Sequence, residues 1–148
     1  MMKSKHIHRV MHSTGIRFAA AGTVVVLACI IASCKSDNTV SSLDDIVFPD
    51  KNISYYRSIQ PLFNIACTNS GCHDTKSFAG NLDLTSYSGI RQRFYDVVIV
   101  RDTTMSHLVW RIDAKFGFMP MPPTRLLTLN QRRGLKQWIL EGATDTLK

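Results

Sequence analysis

The 148-residue sequence has no apolar run of bilayer length, no second pair of closely spaced cysteines after residue 34 beyond residues 67 and 72, and no basic cluster interleaved with aromatics. Each absence excludes something. The apolar run over residues 18–32 falls short of the roughly 20 residues that a spanning helix needs. Without a second Cys pair, a zinc site would have to be completed from scattered His and Asp, which argues against zinc. Without a basic-aromatic face there is no electrostatic footprint for nucleic acid. The formal net charge of +7 does not restore one. Lys3, Lys5, Arg9 and Arg17 sit in a leading stretch without Asp or Glu. Setting those four aside leaves +3, spread thinly over the rest. What remains is ordinary: 45% hydrophobic and 20% charged residues, enough for one globular domain.

The leading segment reads as targeting. Residues 1–17 are basic, and residues 18–32 form an apolar h-region centred on Val24, Val25, Val26, Leu27, Ile30 and Ile31. The run ends in Ile31-Ala32-Ser33-Cys34, which resembles the lipobox of bacterial lipoproteins. That resemblance implies a signal peptide over 1–33, cleavage before Cys34, and a lipid on the Cys34 thiol. It places the chain in the cell envelope of a bacterium, held to the membrane by its lipid and facing the periplasm. Residues 34–52 then read as a flexible tether, because Lys35-Ser36-Asp37-Asn38 and Ser41-Ser42 are polar and turn-prone. The folded domain is expected over 53–148. Its small apolar core would gain from a bound group.

Cys29 falls in the h-region and Cys34 in the lipobox, which leaves Cys67-Thr68-Asn69-Ser70-Gly71-Cys72-His73. This is C-x4-C-H, two residues longer than the C-x2-C-H of haem attachment. Two thiols at suitable spacing form thioethers to haem vinyl groups, and the following His supplies a proximal ligand. Asn69, Ser70 and Gly71 tolerate tight or left-handed turns, so a longer loop still closes. By itself the motif also admits a Cys67–Cys72 disulfide, which an oxidising compartment permits.

Four blocks narrow the choice: Ile59-Gln60-Pro61-Leu62-Phe63, Gly80-Asn81-Leu82-Asp83-Leu84-Thr85-Ser86-Tyr87, Met121-Pro122-Pro123, and Leu127-Thr128 through Trp138-Ile139-Leu140-Glu141-Gly142-Ala143. In order and spacing they resemble single-haem c-type cytochrome domains of the planctomycete and Bacteroidetes type. The chain departs from that pattern in its Cys spacing and at Asn130, Gln131 and Arg132, where the family carries acidic and apolar residues. The resemblance implies an all-α, cytochrome c-like fold of three to five short helices around one haem c. It implies attachment through Cys67 and Cys72, with His73 and Met121 as axial iron ligands. Phe118-Met119-Pro120-Met121 offers a second sulfur in Met119, and His107 or an open position are further alternatives for the sixth site.

The helices are readable separately. Ser58 is the expected N-cap of a first helix with Pro61 in its first turn, an apolar face of Ile59, Leu62, Phe63 and Ala66, and Cys67 at its end. The stretch Thr85–Arg91 offers a cap and one or two helical turns. Thr103 or Thr104 is expected to cap a second over Ser106–Ile112, turning Leu108, Val109 and Ile112 inward. The β-prone run Asp96–Val100 is expected as an extended connector. The last helix should start from a capping box of Thr128 and Gln131 and end at Gly142, with Leu135 and Trp138 crossing Ile59 and Phe63. Gly134 in its middle points to a close crossing.

The expected activity is electron transfer with redox partner proteins, and not enzymatic turnover of a substrate. The competing expectations are a peroxidase-like enzyme or sensor with an open sixth position, and a haem-free domain with the Cys67–Cys72 disulfide.

Overall fold

The computed structural model describes residues 42–146. The expected signal segment, Cys34 and residues 35–41 lie outside them. The described residues are helical and contain no strand, so the domain is all-α. None of their helices is long and apolar enough to cross a membrane.

The first helical segment starts earlier than expected. Ser54, not Ser58, supplies the cap, with its hydroxyl accepting the Arg57 N–H at 3.3 Å. Residues Tyr55–Ile59 form a wide π turn, and α1, Gln60–Ala66, continues from it. Pro61 explains the widening. It has no N–H to give the Arg57 carbonyl, so the tighter ladder is interrupted there. Ser58 is buried inside the segment. The expected apolar face is present: Ile59, Leu62, Phe63 and Ala66 are all in the core.

Ser86 caps α2, Tyr87–Arg91, by accepting the Gly89 N–H at 3.2 Å. Helix α3, His107–Ile112, buries Leu108, Val109 and Ile112. Neither Thr103 nor Thr104 caps it. The Asp102 carboxylate takes the N–H groups of Thr104 and Met105 at 2.7 and 3.1 Å, and the Ser106 hydroxyl accepts the Ile99 N–H at 2.8 Å. These bonds fold residues 99–106 into a tight loop. The run 96–100 is correspondingly not extended. The N–H groups of Asp96 and Val97 both turn back to the Arg93 carbonyl, and one isolated bridge, Ile99 to Asp102, is the sole β pairing among the described residues. Local β propensity loses here to a turn fixed by side-chain carboxylates.

Helix α4, Leu129–Leu140, opens with the expected capping box: Thr128 takes the Gln131 N–H at 3.2 Å and Gln131 takes the Thr128 N–H at 3.0 Å. Gly142, at φ +104°, ends it with an αL-type turn. Its side chains Leu135, Trp138 and Ile139 are buried. Its main helical neighbour is α3, and Leu135 and Trp138 share one core with Ile59 and Phe63. It meets the first segment through Trp138, whose ring lies 5.7 Å from that of Tyr55.

The larger correction is at the start. Residues 43–52 are no tether; they form a strap on the domain. Leu43, Ile46 and Phe48 are in the core. The Asn130 side chain pairs with both backbone groups of Phe48, at 2.8 and 3.0 Å, and the Gln131 amide donates to the Leu43 carbonyl at 2.7 Å. Farther along, the Glu141 carboxylate takes the N–H groups of Asn52 and Ile53 at 2.7 and 2.8 Å. Gly134 admits the strap and not another helix. A Cβ there would collide with the Phe48 ring. The departures at positions 130 and 131 are thus the residues that clasp the strap.

Candidate functional site

The segment 67–84 is built by backbone bonds around His73. Cys67 ends α1, with its N–H on the Phe63 carbonyl at 2.8 Å. The loop then returns on itself. The His73 N–H donates to the Cys67 carbonyl at 3.0 Å, and the Cys72 N–H to the Asn69 carbonyl at 2.9 Å. Gly71 sits at φ +85°, where glycine avoids the strain a side chain would meet, and its N–H donates to the Ser77 hydroxyl at 2.9 Å. The Asp74 carboxylate collects the N–H groups of Lys76 and Ser77 at 2.7 and 2.6 Å. Those bonds hold its carboxyl below the usual carboxylate range. The two additional residues in C-x4-C are therefore absorbed in a closed, hydrogen-bonded bulge.

A second turn completes the arrangement. Phe78, Gly80 and Asn81 all adopt left-handed φ, at +44°, +64° and +55°. Strain of this kind at Phe78 and Asn81 costs on the order of 1 kcal/mol or more and persists only where surroundings enforce it. The reversal brings the Ala79 carbonyl to 2.9 Å from His73 Nδ1. A carbonyl only accepts, so Nδ1 carries a proton, and in the neutral ring Nε2 keeps a free lone pair. The His73 carbonyl in turn accepts the Leu84 N–H at 2.9 Å. The imidazole is thereby fixed in one tautomer and one orientation.

Cys67 and Cys72 are unbridged. Burial, with a smaller contribution from neighbouring Cys72, pushes the Cys67 thiol up to about 12, so it stays neutral at ordinary pH. Among the described residues no group of three or more His, Cys, Asp or Glu side chains is arranged to hold a metal ion.

Met121 lies on a separate segment. Its N–H donates to the Arg111 carbonyl, at the end of α3, at 3.0 Å. The same helix end grips the approach to it: the Trp110 ring stacks on Phe118 at 6.1 Å and 8°, and the Arg111 guanidinium lies 4.5 Å over the Phe118 ring. Met121 is half-buried, whereas Met119 is 62% exposed. His107 is exposed and packs on Trp110. A cavity of about 370 Å³ is lined by Ile65, Ala66 and Asn69, by Pro122, Thr124 and Arg125, and by strap residues Ser42 and Leu43; none of Cys67, Cys72, His73 and Met121 is among its lining residues.

The residues fit a covalently held haem on three counts. The thiols are free, one imidazole nitrogen is free and oriented, and apolar side chains stand exposed beside both candidate ligands: Phe78 after His73, and Phe116, Phe118 and Met119 before Met121. The role of the Ala79 carbonyl had no signal in the sequence, since every residue carries one.

Comparison with family models, with curated proteins and with solved structures finds no match to this chain.

Proposed function

We propose that this protein is a small electron carrier of the c-type cytochrome kind. In this reading Cys67 and Cys72 hold one haem by thioethers, and His73 Nε2 and the Met121 sulfur ligate its iron. The observation that carries the reading is the His73 Nδ1–H bond to the Ala79 carbonyl, directly after the free thiol of Cys72. Iron-ligating histidines characteristically give their other ring N–H to such an acceptor, which fixes the tautomer and raises the basicity of the ligating nitrogen. The cytochrome c-like fold belongs to the same proposal, supported by the all-α architecture and by the order of the sequence blocks.

The bound haem would supply one-electron exchange at its iron. The protein's own residues do the rest. Ala79 holds the imidazole. The turn at 67–73 keeps both thiols on the loop that ends in that imidazole. Pro120, Pro122 and Pro123 restrict the backbone around Met121, which steadies a weak sulfur ligand. Exposed Phe78 beside His73, and exposed Phe116, Phe118 and Met119 beside Met121, would cover a bound haem and keep water from it. Met ligation raises the reduction potential relative to a second histidine. Cys34 is the proposed lipid site, with a signal peptide before it, so the domain would work at a membrane surface facing the periplasm and exchange electrons with redox partner proteins.

The test is spectroscopic. Protein made where haem attachment is supported should show a low-spin ferric spectrum with a sulfur-to-iron band. Rapid binding of cyanide or CO at neutral pH would instead favour an open sixth position.

A further inference from the structure

Arg93 makes more bonds than any surface arginine needs. Its Nε donates to Asp96 Oδ1 at 3.0 Å, and Nη2 donates to Asp96 Oδ2. Its Nη1 donates to two backbone carbonyls, Gly80 at 2.9 Å and Asn81 at 2.7 Å. The two side chains are only 20% and 25% exposed. These carbonyls belong to the left-handed turn whose first residue, Ala79, holds His73 Nδ1.

The connection continues on the far side. The Asp96 carbonyl accepts the His107 N–H at 3.3 Å, and the Val97 carbonyl accepts the Leu108 N–H at 2.9 Å, so the first turn of α3 hangs from this segment. The other end of α3 gives the Arg111 carbonyl to the Met121 N–H. A path of hydrogen bonds joined by short stretches of covalent backbone thus runs from the imidazole through Ala79–Asn81, Arg93, Asp96 and α3 to Met121.

We infer that Arg93, locked by Asp96, is a positioning residue that sets the geometry of both axial ligands at once. This inference rests on the haem reading given above. Its physical basis is the guanidinium fork. Four donors in one plane satisfy two carbonyls and two carboxylate oxygens together, which a lysine cannot reproduce. The turn it grips is strained at Phe78 and Asn81, so an external clamp is needed to keep Ala79 aimed at His73. Losing such an outer partner typically costs 10- to 100-fold in metal-site properties.

The experiment compares wild type with Arg93→Gln, Arg93→Lys and Asp96→Asn, all as haem-bearing protein and at temperatures where circular dichroism shows each folded. Thioethers keep the haem in every variant. The expected result is that added imidazole displaces the sulfur ligand about tenfold more readily in all three, that the reduction potential falls, and that the ferric electron-spin resonance changes as the His73 ring reorients. Arg93→Lys should behave as Arg93→Gln, because it keeps the charge and loses the fork. If Arg93→Gln fails to fold, Asp96→Asn, which changes one atom, decides by the same readouts. Variants that keep the wild-type potential, resonance and imidazole affinity would overturn the inference while leaving the haem reading intact. A wild-type chain without covalent haem would overturn that reading and the inference with it.

Discussion

The segment that carries His73 and the one that carries Met121 are held in opposite ways. Around His73 nearly every polar backbone group has a partner: the His73 N–H, carbonyl and Nδ1 are each bonded, as are the N–H groups of Gly71 and Cys72. Around Met121 one backbone bond to Arg111 is joined by aromatic stacking on Phe118 and by three prolines. Directional bonds fix an angle, and an imidazole ring has one to fix. Stacking and proline fix a path with less angular control, and a flexible thioether tolerates that. On the proposed haem reading, the difference would suit a permanent ligand on one side and a weaker, exchangeable one on the other.

Mutations should separate the two. The largest effect is expected from the double change Cys67→Ala, Cys72→Ala. It removes covalent haem altogether, and thermal melting of the purified domain should fall well below wild type, because the group binds only the folded state and adds apolar contact to a small core. An unchanged melting temperature would sink this claim. Next is Met121→Ala, which should leave the haem attached but abolish sulfur ligation and lower the potential, within the roughly 0.8 V range that axial ligands span. Met119→Ala should leave both unchanged; a redox titration of the pair decides which sulfur binds.

Phe118→Ala should act on one side only. It removes a stacked pair and a cation–π contact worth together about 1–2 kcal/mol. The sulfur ligand should then be displaced by imidazole roughly tenfold more easily, with the His73 side unaffected. Ser77→Ala is the reciprocal change. It removes the acceptor of the Gly71 N–H and should cost about 1 kcal/mol in denaturant unfolding while leaving the potential near wild type.

The smallest effect is a pH dependence. The Arg93 guanidinium holds the Asp96 carboxyl below the usual range. A depressed carboxyl contributes stability that is fully present above its unfolded value, about 3.9, and is lost as pH falls through its folded value. Unfolding free energy should therefore be flat near neutrality and decline in acid, and Asp96→Asn should blunt the decline. A decline of equal steepness in the variant would remove Asp96 from the account.

Much of the frame was legible in the residues, and the reason is locality. The Thr128–Gln131 capping box, the short capped helix within Thr85–Arg91 and the apolar face of Ile59, Leu62, Phe63 and Ala66 each need only neighbours a few positions away. What escaped depends on distant partners. Leu43, Ile46 and Phe48 read as part of a polar spacer because their reason for order, the side chains of Asn130 and Gln131 and the space above Gly134, lies more than 80 residues along the chain. Ser54 escaped because Ser58 stood closer to Pro61. Asp102 escaped as the organiser of the 99–106 loop because threonines beside it looked like caps. At the site, the thiols and His73 were named from their spacing. The grip of Arg93, locked by Asp96, on the Gly80–Asn81 turn was not legible, since carbonyls leave no trace in a sequence.

The most direct test of the central claim is a haem stain of the wild-type protein on a denaturing gel, with the Cys67→Ala, Cys72→Ala form as the blank. Thioether-linked haem survives denaturation, so the account predicts a stained wild-type band and an unstained variant, with neither Cys67 nor Cys72 open to alkylation in the wild type. An unstained wild type whose two thiols alkylate, or prove joined as a disulfide, would contradict it.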